Sequence, residues 1–216
     1  MKSPMIKIFD DIIDKPLQEE IKLTLLRSSG DFPWFFLDDV TSSVSSDTQL
    51  RPAFFHLFCD NFQDNSYFYS MTKPIIDNVV DKLKLKLPSI YQSRAIVQLP
   101  LSLKNYTVDN AHIDYSKPHL VILYYVMDSD GDTIVYDKKW KEGTMDATTE
   151  MTKNMLIKKR ITPKQGRAVV FDGHYCHTAE QPKYNNRCIS IITISNSTIF
   201  CCMLYLSYFC IRCCFI

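Results

Sequence analysis

Between His112 and Arg187 the chain spaces two imidazoles, a carboxylate and a guanidinium through a series of short apolar runs. Few folds can use that spacing. In an extended strand, side chains two apart point to the same side. His112 and Asp114 therefore project together, with Ile113 facing away. His177 can join them from a later strand. Two imidazoles and one carboxylate on one face of a divalent iron leave the opposite positions open. Arg187 stands ten residues after His177 and opens the apolar run Cys188–Ile194. A fixed cation there suits the far carboxylate of a dicarboxylate whose other end chelates the metal.

The apolar run His119–Met127 reads as a strand whose alternation puts His119, Val121, Leu123 and Tyr125 on one face and Tyr124 on the other. Asp128-Ser-Asp-Gly-Asp132 reads as a turn. It lacks the further ligands and the distal Glu of a calcium loop. Thr133–Tyr136, Met155–Ile161 and Arg167–Phe171 read as further strands, and Asp137–Lys153 as an excursion over the barrel mouth. Upstream, Arg94–Leu99 has strand character, with Gln98 on the same face as Arg94 and Ile96. About eight short strands preceded by helices predict a mainly β protein with flanking helices, a double-stranded β-helix or cupin-like jelly-roll.

The segments HID, LYYVMDSDGDT, TPKQGRAVVFDG and CHTAEQP, followed by Arg187, resemble the 2-oxoglutarate- and Fe(II)-dependent oxygenases. The likeness is to the prolyl-4-hydroxylase-like branch, including its small phage and viral versions. FPWFFLDDVT near the front resembles the same group more weakly. A lone His-x-Asp occurs by chance; its combination with paired tyrosines, a DGD turn and a distal His–Arg pair is specific. The resemblance implies that His112, Asp114 and His177 hold Fe(II), while Arg187 and Tyr125 fix the far end of 2-oxoglutarate. The equivalent strand in the family lines the cosubstrate pocket, which makes Gln98 a candidate there. It further implies O2 as oxidant, ascorbate as accessory reductant, release of succinate and CO2, and hydroxylation of a protein, peptide or small-molecule substrate. Peptidyl proline is the first expectation. Other peptide side chains, a small metabolite, a nucleobase or a sugar stay open.

His174 competes with His177 as distal ligand. The family's distal ligand precedes its arginine by about ten positions with a proline between, which Pro182 satisfies for His177. His119 is expected to flank the pocket, and His56, set among phenylalanines, to be packed. Two other readings stay open: a non-catalytic metal- or ligand-binding jelly-roll, and a scaffold tethered to a membrane by its tail.

Asp14-Lys-Pro16 is a helix start, and Leu17, Ile21, Leu23, Leu25 and Leu26 give a mostly helical apolar stripe. Ile6–Phe9 reads as an edge strand, Tyr67–Leu85 as one helix with Pro74 in its first turn or kinking it, and Thr41–Thr48 as a mobile loop. Phe32–Leu37 reads either as core packing or as a wall of the substrate entrance, with the loops around Trp34 and Trp140 beside it. Residues 1–92 are expected to support a barrel over 93–197, with an atypical hydrophobic, Cys-rich tail over 198–216. A formal net charge of +1 argues against nucleic acid or an anionic membrane as partner. The polar, acidic N-terminus and the clustering of cysteines in the tail predict a cytoplasmic protein, the host cytoplasm if viral, rather than a secreted disulfide scaffold. The tail reads as a frame-shifted end, a weak anchor or an extra core element.

Overall fold

The computed structural model describes residues 6–27, 30–40, 50–86, 88–102, 108–140 and 147–195. The loop expected at Thr41–Thr48, the middle of the Asp137–Lys153 excursion and the tail lie outside them. In chain order the elements are β1 (Ile6–Phe9), α1 (Lys15–Leu26), β2 (Phe35–Leu37), β3 (Ala53–Asp60), β4 (Gln63–Asp64), a 3-10 segment (Tyr67–Thr72) and α2 (Lys73–Leu83). Then follow β5 (Ser89–Gln98), β6 (His119–Tyr125), β7 (Thr133–Lys139), α3 (Thr149–Lys153), β8 (Ile157–Ile161), β9 (Ala168–Asp172), β10 (Tyr175–Ala179) and β11 (Arg187–Ser195).

Two antiparallel sheets face each other. The larger runs β1-β9-β6-β11-β5-β3-β2, with β4 hydrogen-bonded to β3, and the smaller runs β10-β7-β8. This is the double-stranded β-helix. Its centre is buried from both sides. Helices α1 and α2 press Ile21, Leu25, Ile75 and Val79 onto the outer face of the large sheet, against Ile122, Tyr124 and Ile192. On the inner face, Leu123, Tyr125 and Ile189 meet Val135 and Ile161 of the small sheet. Strands covered on both faces read as continuous apolar runs. That is why HLVILYY and CISIITIS show little of the apolar–polar alternation expected of a half-exposed strand.

Helix α1 begins as its sequence dictates. The Asp14 side chain accepts from the Leu17 amide at 3.0 Å, and proline occupies the first turn. The helix expected over Tyr67–Leu85 is divided. Pro74 has no N–H to give the carbonyl four residues back, so the α ladder starts only at Lys73 and the preceding turn tightens to 3-10. Strand β1 lies at the edge of the large sheet, paired among the described residues with β9. Phe32 is buried against His56 and Phe68, and Trp34 packs on α1 with its indole N–H on the Leu25 carbonyl at 2.9 Å. These aromatics are core. Phe35 and Phe36 on β2 are exposed.

Candidate active site

The segment 108–112 runs beside β10 as an interrupted strand. His112 and His177 are direct antiparallel partners and exchange both backbone hydrogen bonds at 2.9 Å. Opposed residues of such a pair project to the same side, and the two rings lie 4.7 Å apart. The segment makes two isolated bridges, Val108 to Glu180 and His112 to His177, rather than the regular strand expected, and short helix α3 holds it from the other side. Thr149 Oγ1 donates to Asn110 Oδ1 at 2.9 Å, and the Ala111 amide donates to Thr152 Oγ1 at 3.0 Å. This part of the Asp137–Lys153 excursion therefore braces the strand that carries His112.

His112, Asp114 and His177 converge so that one ligand atom from each lies within 4.8 Å of the others. The closest approaches are His177 Nε2 to Asp114 Oδ2 at 3.2 Å and His112 Nε2 to Asp114 Oδ1 at 3.9 Å. Metal–ligand bonds of about 2.0–2.2 Å place neighbouring ligand atoms about 3 Å apart, so little movement closes this set around an ion. Both rings are oriented for it. His112 Nδ1 contacts the Asn110 carbonyl and His177 Nδ1 the Tyr175 carbonyl, each at 3.2 Å. A carbonyl only accepts, so Nδ1 carries the hydrogen and Nε2 presents its lone pair. Desolvation, and then the charge of His177, push the His112 pKa down, which keeps the ring neutral. Burial alone would raise the Asp114 pKa. The imidazole of His177, then the guanidinium of Arg94, outweigh it and hold the carboxyl well below the usual range. Asp114 Oδ2 is buried without a hydrogen-bond partner. A His–carboxylate–His set with an orphaned carboxylate oxygen fits a divalent ion.

His174 stands apart. Its Nδ1 lies 3.4 Å from Asp172 Oδ1, and it does not join the cluster. His119, expected to flank the pocket, does not line the cavity that the cluster opens on, and its ring lies 5.7 Å from that of His174. His56 is packed among phenylalanines, with both ring nitrogens engaged by the Pro33 carbonyl and Ser66. Trp140 pairs with the small-sheet core, and its loop continues into residues outside the description.

A cavity of about 110 Å³ opens from His112 and His177 and ends at Arg187, Gln98 and Thr133. Arg187, 3 % exposed, donates from Nε to the Gly131 carbonyl at 3.0 Å, from Nη1 to Gln98 Oε1 at 2.9 Å and from Nη2 to Thr133 Oγ1 at 2.8 Å. All three acceptors are neutral. No described carboxylate forms an ion pair with it, since the nearby Asp109 is taken by Arg51 at 2.7 Å. Desolvation pushes the Arg187 pKa down. A buried cation without a counter-charge is costly, and an anion entering the cavity relieves that cost. Tyr125 is fully buried, and its hydroxyl donates to Thr133 Oγ1 at 2.7 Å, so it meets the cavity through Thr133. Sequence reasoning passed over Thr133, Arg51, Asp109 and Arg94. Of these, Thr133 and Arg94 had a local signal, Thr133 as the residue after the DGD turn and Arg94 as a neighbour of Gln98 on one strand face.

The cysteines of the described residues, Cys59, Cys176 and Cys188, are free and buried, and burial pushes the Cys176 thiol up to about 11. Neither a disulfide framework nor a thiolate nucleophile is built among them. No helix among the described residues is long and apolar enough to cross a membrane.

The two facing sheets form a fold that solved 2-oxoglutarate- and Fe(II)-dependent oxygenases also have. Particular solved structures share it. An oxidoreductase of the 2-oxoglutarate–Fe(II) oxygenase family from Burkholderia pseudomallei superposes with a TM-score of 0.61 at 11 % identity, over 88 % of this chain and 85 % of that one. The epimerase SnoN, solved with Fe3+, alpha ketoglutarate and nogalamycin RO, gives 0.60 at 11 % identity over 90 % and 80 %. A Pseudomonas putida prolyl-4-hydroxylase gives 0.55 at 11 % identity over 90 % and 94 %. No protein-family model and no curated protein matches the chain.

Proposed function

We propose that the protein is a 2-oxoglutarate- and Fe(II)-dependent dioxygenase that hydroxylates its substrate and releases succinate and CO2. One observation carries this reading. The buried, anion-seeking Arg187 and the His112–Asp114–His177 cluster share one cavity, with room between them for a short dicarboxylate. His112, Asp114 and His177 would hold the metal on one face. Iron with 2-oxoglutarate and O2 bound supplies the oxidising power that a protein side chain lacks.

The chain supplies position. Arg187 draws the far carboxylate of 2-oxoglutarate to the closed end of the cavity, where its remaining N–H groups make charge-assisted bonds. Gln98 holds the guanidinium from one side. Thr133, itself fixed by Tyr125, holds it from another. The inner faces of Ile96, Leu123, Ile189 and Ile191 line the walls and keep them dry. A dry wall strengthens the ion pair at Arg187 and excludes side reactions with water. Ascorbate would serve as an accessory reductant outside this cavity.

The similar solved structures include an epimerase solved with a small molecule and prolyl hydroxylases, one of them solved with a peptide fragment. We take peptidyl proline as the first substrate to test and a small molecule as the second. The experiment is a screen of proline-containing peptides and metabolites with Fe(II), 2-oxoglutarate and O2, read by mass spectrometry. A substrate gains one oxygen as one succinate forms. Cleavage of 2-oxoglutarate that no added compound accelerates would contradict hydroxylation of either class.

A further inference from the structure

Asp114 divides its two oxygens. Oδ1 accepts from Arg94 Nη2 at 2.7 Å. Oδ2 faces His177 Nε2 at 3.2 Å and is buried with no hydrogen-bond partner. Arg94 is itself held from behind. Its Nη1 donates to Gln92 Oε1 at 2.6 Å, and Gln92 Nε2 donates to Asp60 Oδ1 at 2.9 Å. A brace therefore runs from the end of β3, across β5, to the carboxylate of the candidate metal centre. Arg94 also lines the cavity that His112, His177 and Arg187 share.

We propose that Arg94 is a positioning residue that makes Asp114 a one-oxygen ligand. The inference rests on the metal-site reading above. A carboxylate can grip a cation through one oxygen or through both. The two-oxygen grip would occupy one of the positions that a chelating cosubstrate needs. A charge-assisted hydrogen bond to Oδ1 competes with that second contact. The guanidinium is planar and clamped on both sides by Asp114 and Gln92, so it holds Oδ1 in one direction. Partners behind a metal ligand commonly set its orientation in this way. Arg94 thereby keeps positions open and leaves Oδ2 as the ligand atom.

The test uses the full chain loaded with Mn(II), and counts metal-bound water by water-proton relaxation. Three protein ligands on an octahedral ion leave about three waters in the wild type. In Arg94→Met, Asp114 can turn both oxygens to the metal, and the count is expected to fall to about two. The affinity of the loaded protein for 2-oxoglutarate is expected to drop by about tenfold or more, while Mn(II) affinity is retained, since a cation beside the ion has been removed. Arg94→Lys, with one donor still able to reach Oδ1, is expected to keep the wild-type count. An Arg94→Met protein with the wild-type water count and unchanged 2-oxoglutarate affinity overturns the proposal. So does a loss of Mn(II) binding with no change in the water count of the fraction that binds. If Arg94→Met does not fold, Gln92→Leu, which releases the brace and leaves the arginine, decides in its place by the same count. A wild-type protein that binds no Mn(II) refutes the metal site itself, a different failure.

Discussion

Arg187 and Gln98 are direct partners across β11 and β5, and the guanidinium donates to Gln98 Oε1 at 2.9 Å. Gln98 Nε2 is engaged by Asp109 Oδ2 at 3.0 Å and Gln181 Oε1 at 3.3 Å, which turns the amide oxygen toward the arginine. The pair forms the closed end of the cavity. Arg187→Met is expected to weaken 2-oxoglutarate binding to the Mn(II)-loaded protein by about 1.5–3 kcal/mol, roughly tenfold to a hundredfold. The thermal midpoint without ligand should hold or rise, because a buried unpaired charge has gone. Gln98→Leu should weaken binding by about 1 kcal/mol. Calorimetric titration and a melting curve measure both. An unaltered 2-oxoglutarate affinity in Arg187→Met would remove the pocket from the account.

Thr133 stands between Tyr125 and the cavity. Tyr125→Phe deletes one neutral hydrogen bond and is expected to weaken 2-oxoglutarate binding by no more than about 1 kcal/mol. Thr133→Val removes the acceptor that Tyr125 and Arg187 share, and should weaken binding more than Tyr125→Phe does. Titrations of the two variants side by side check the order. The reverse order would mean that the tyrosine hydroxyl contacts the ligand itself.

The glycine of the DGD turn is explained by close approach. A Cβ at Gly131 would meet the Glu180 carbonyl at 2.6 Å and Arg187 Cδ at 3.0 Å. Gly131→Ala must push the turn away from the arginine whose Nε its carbonyl accepts. We expect a loss of about 1–3 kcal/mol in stability, measured by urea unfolding, together with weaker 2-oxoglutarate binding. A variant with wild-type values in both would show the turn to be slack.

Acid sensitivity at the N-terminal edge has a defined sign. Asp10 accepts from Arg167 Nε at 2.7 Å and Nη2 at 3.1 Å. The hydrogen bond from Arg167, with help from Lys164, lowers its pKa from 3.8 to about 2. A carboxyl with a depressed folded-state pKa stabilises the fold above its unfolded value and loses that contribution as pH falls through the folded one. The pair is partly exposed, so Asp10→Asn should lower stability near neutrality by only about 0.2–1 kcal/mol. The difference should shrink below pH 3.8 and vanish only below about pH 2. Urea midpoints across that range test it, and a difference that persists undiminished at the acid end would contradict the pairing.

Much of this arrangement was legible in the chain because it depends on strand periodicity. Alternation puts Tyr124 and Tyr125 on opposite faces and the family resemblance turns Tyr125 inward; in the structure Tyr125 lies in the inner core and Tyr124 in the core under the helices. The His-x-Asp spacing and the step from His177 to Arg187 brought one end of the cavity into view. Contacts that join distant segments had no such signal. Arg94 lies twenty residues before Asp114, and Arg51 fifty-eight before Asp109. Only the pairing of strands brings each to its partner. The division of the second helix followed from Pro74, which the sequence displayed but whose effect depended on where the α ladder began. Burial of the central strands on both faces erased the polar alternation that a half-exposed strand would show.

The most direct measurement is succinate formation from 2-oxoglutarate by the wild-type chain and by His177→Ala and His174→Ala, with Fe(II) and O2 present or withheld. The account predicts succinate from the wild type only when Fe(II), 2-oxoglutarate and O2 are all supplied. It predicts loss to background in His177→Ala and retained turnover in His174→Ala, with all three proteins folded. Wild-type succinate no higher than that of folded His177→Ala, or loss in His174→Ala with His177→Ala still active, would contradict it.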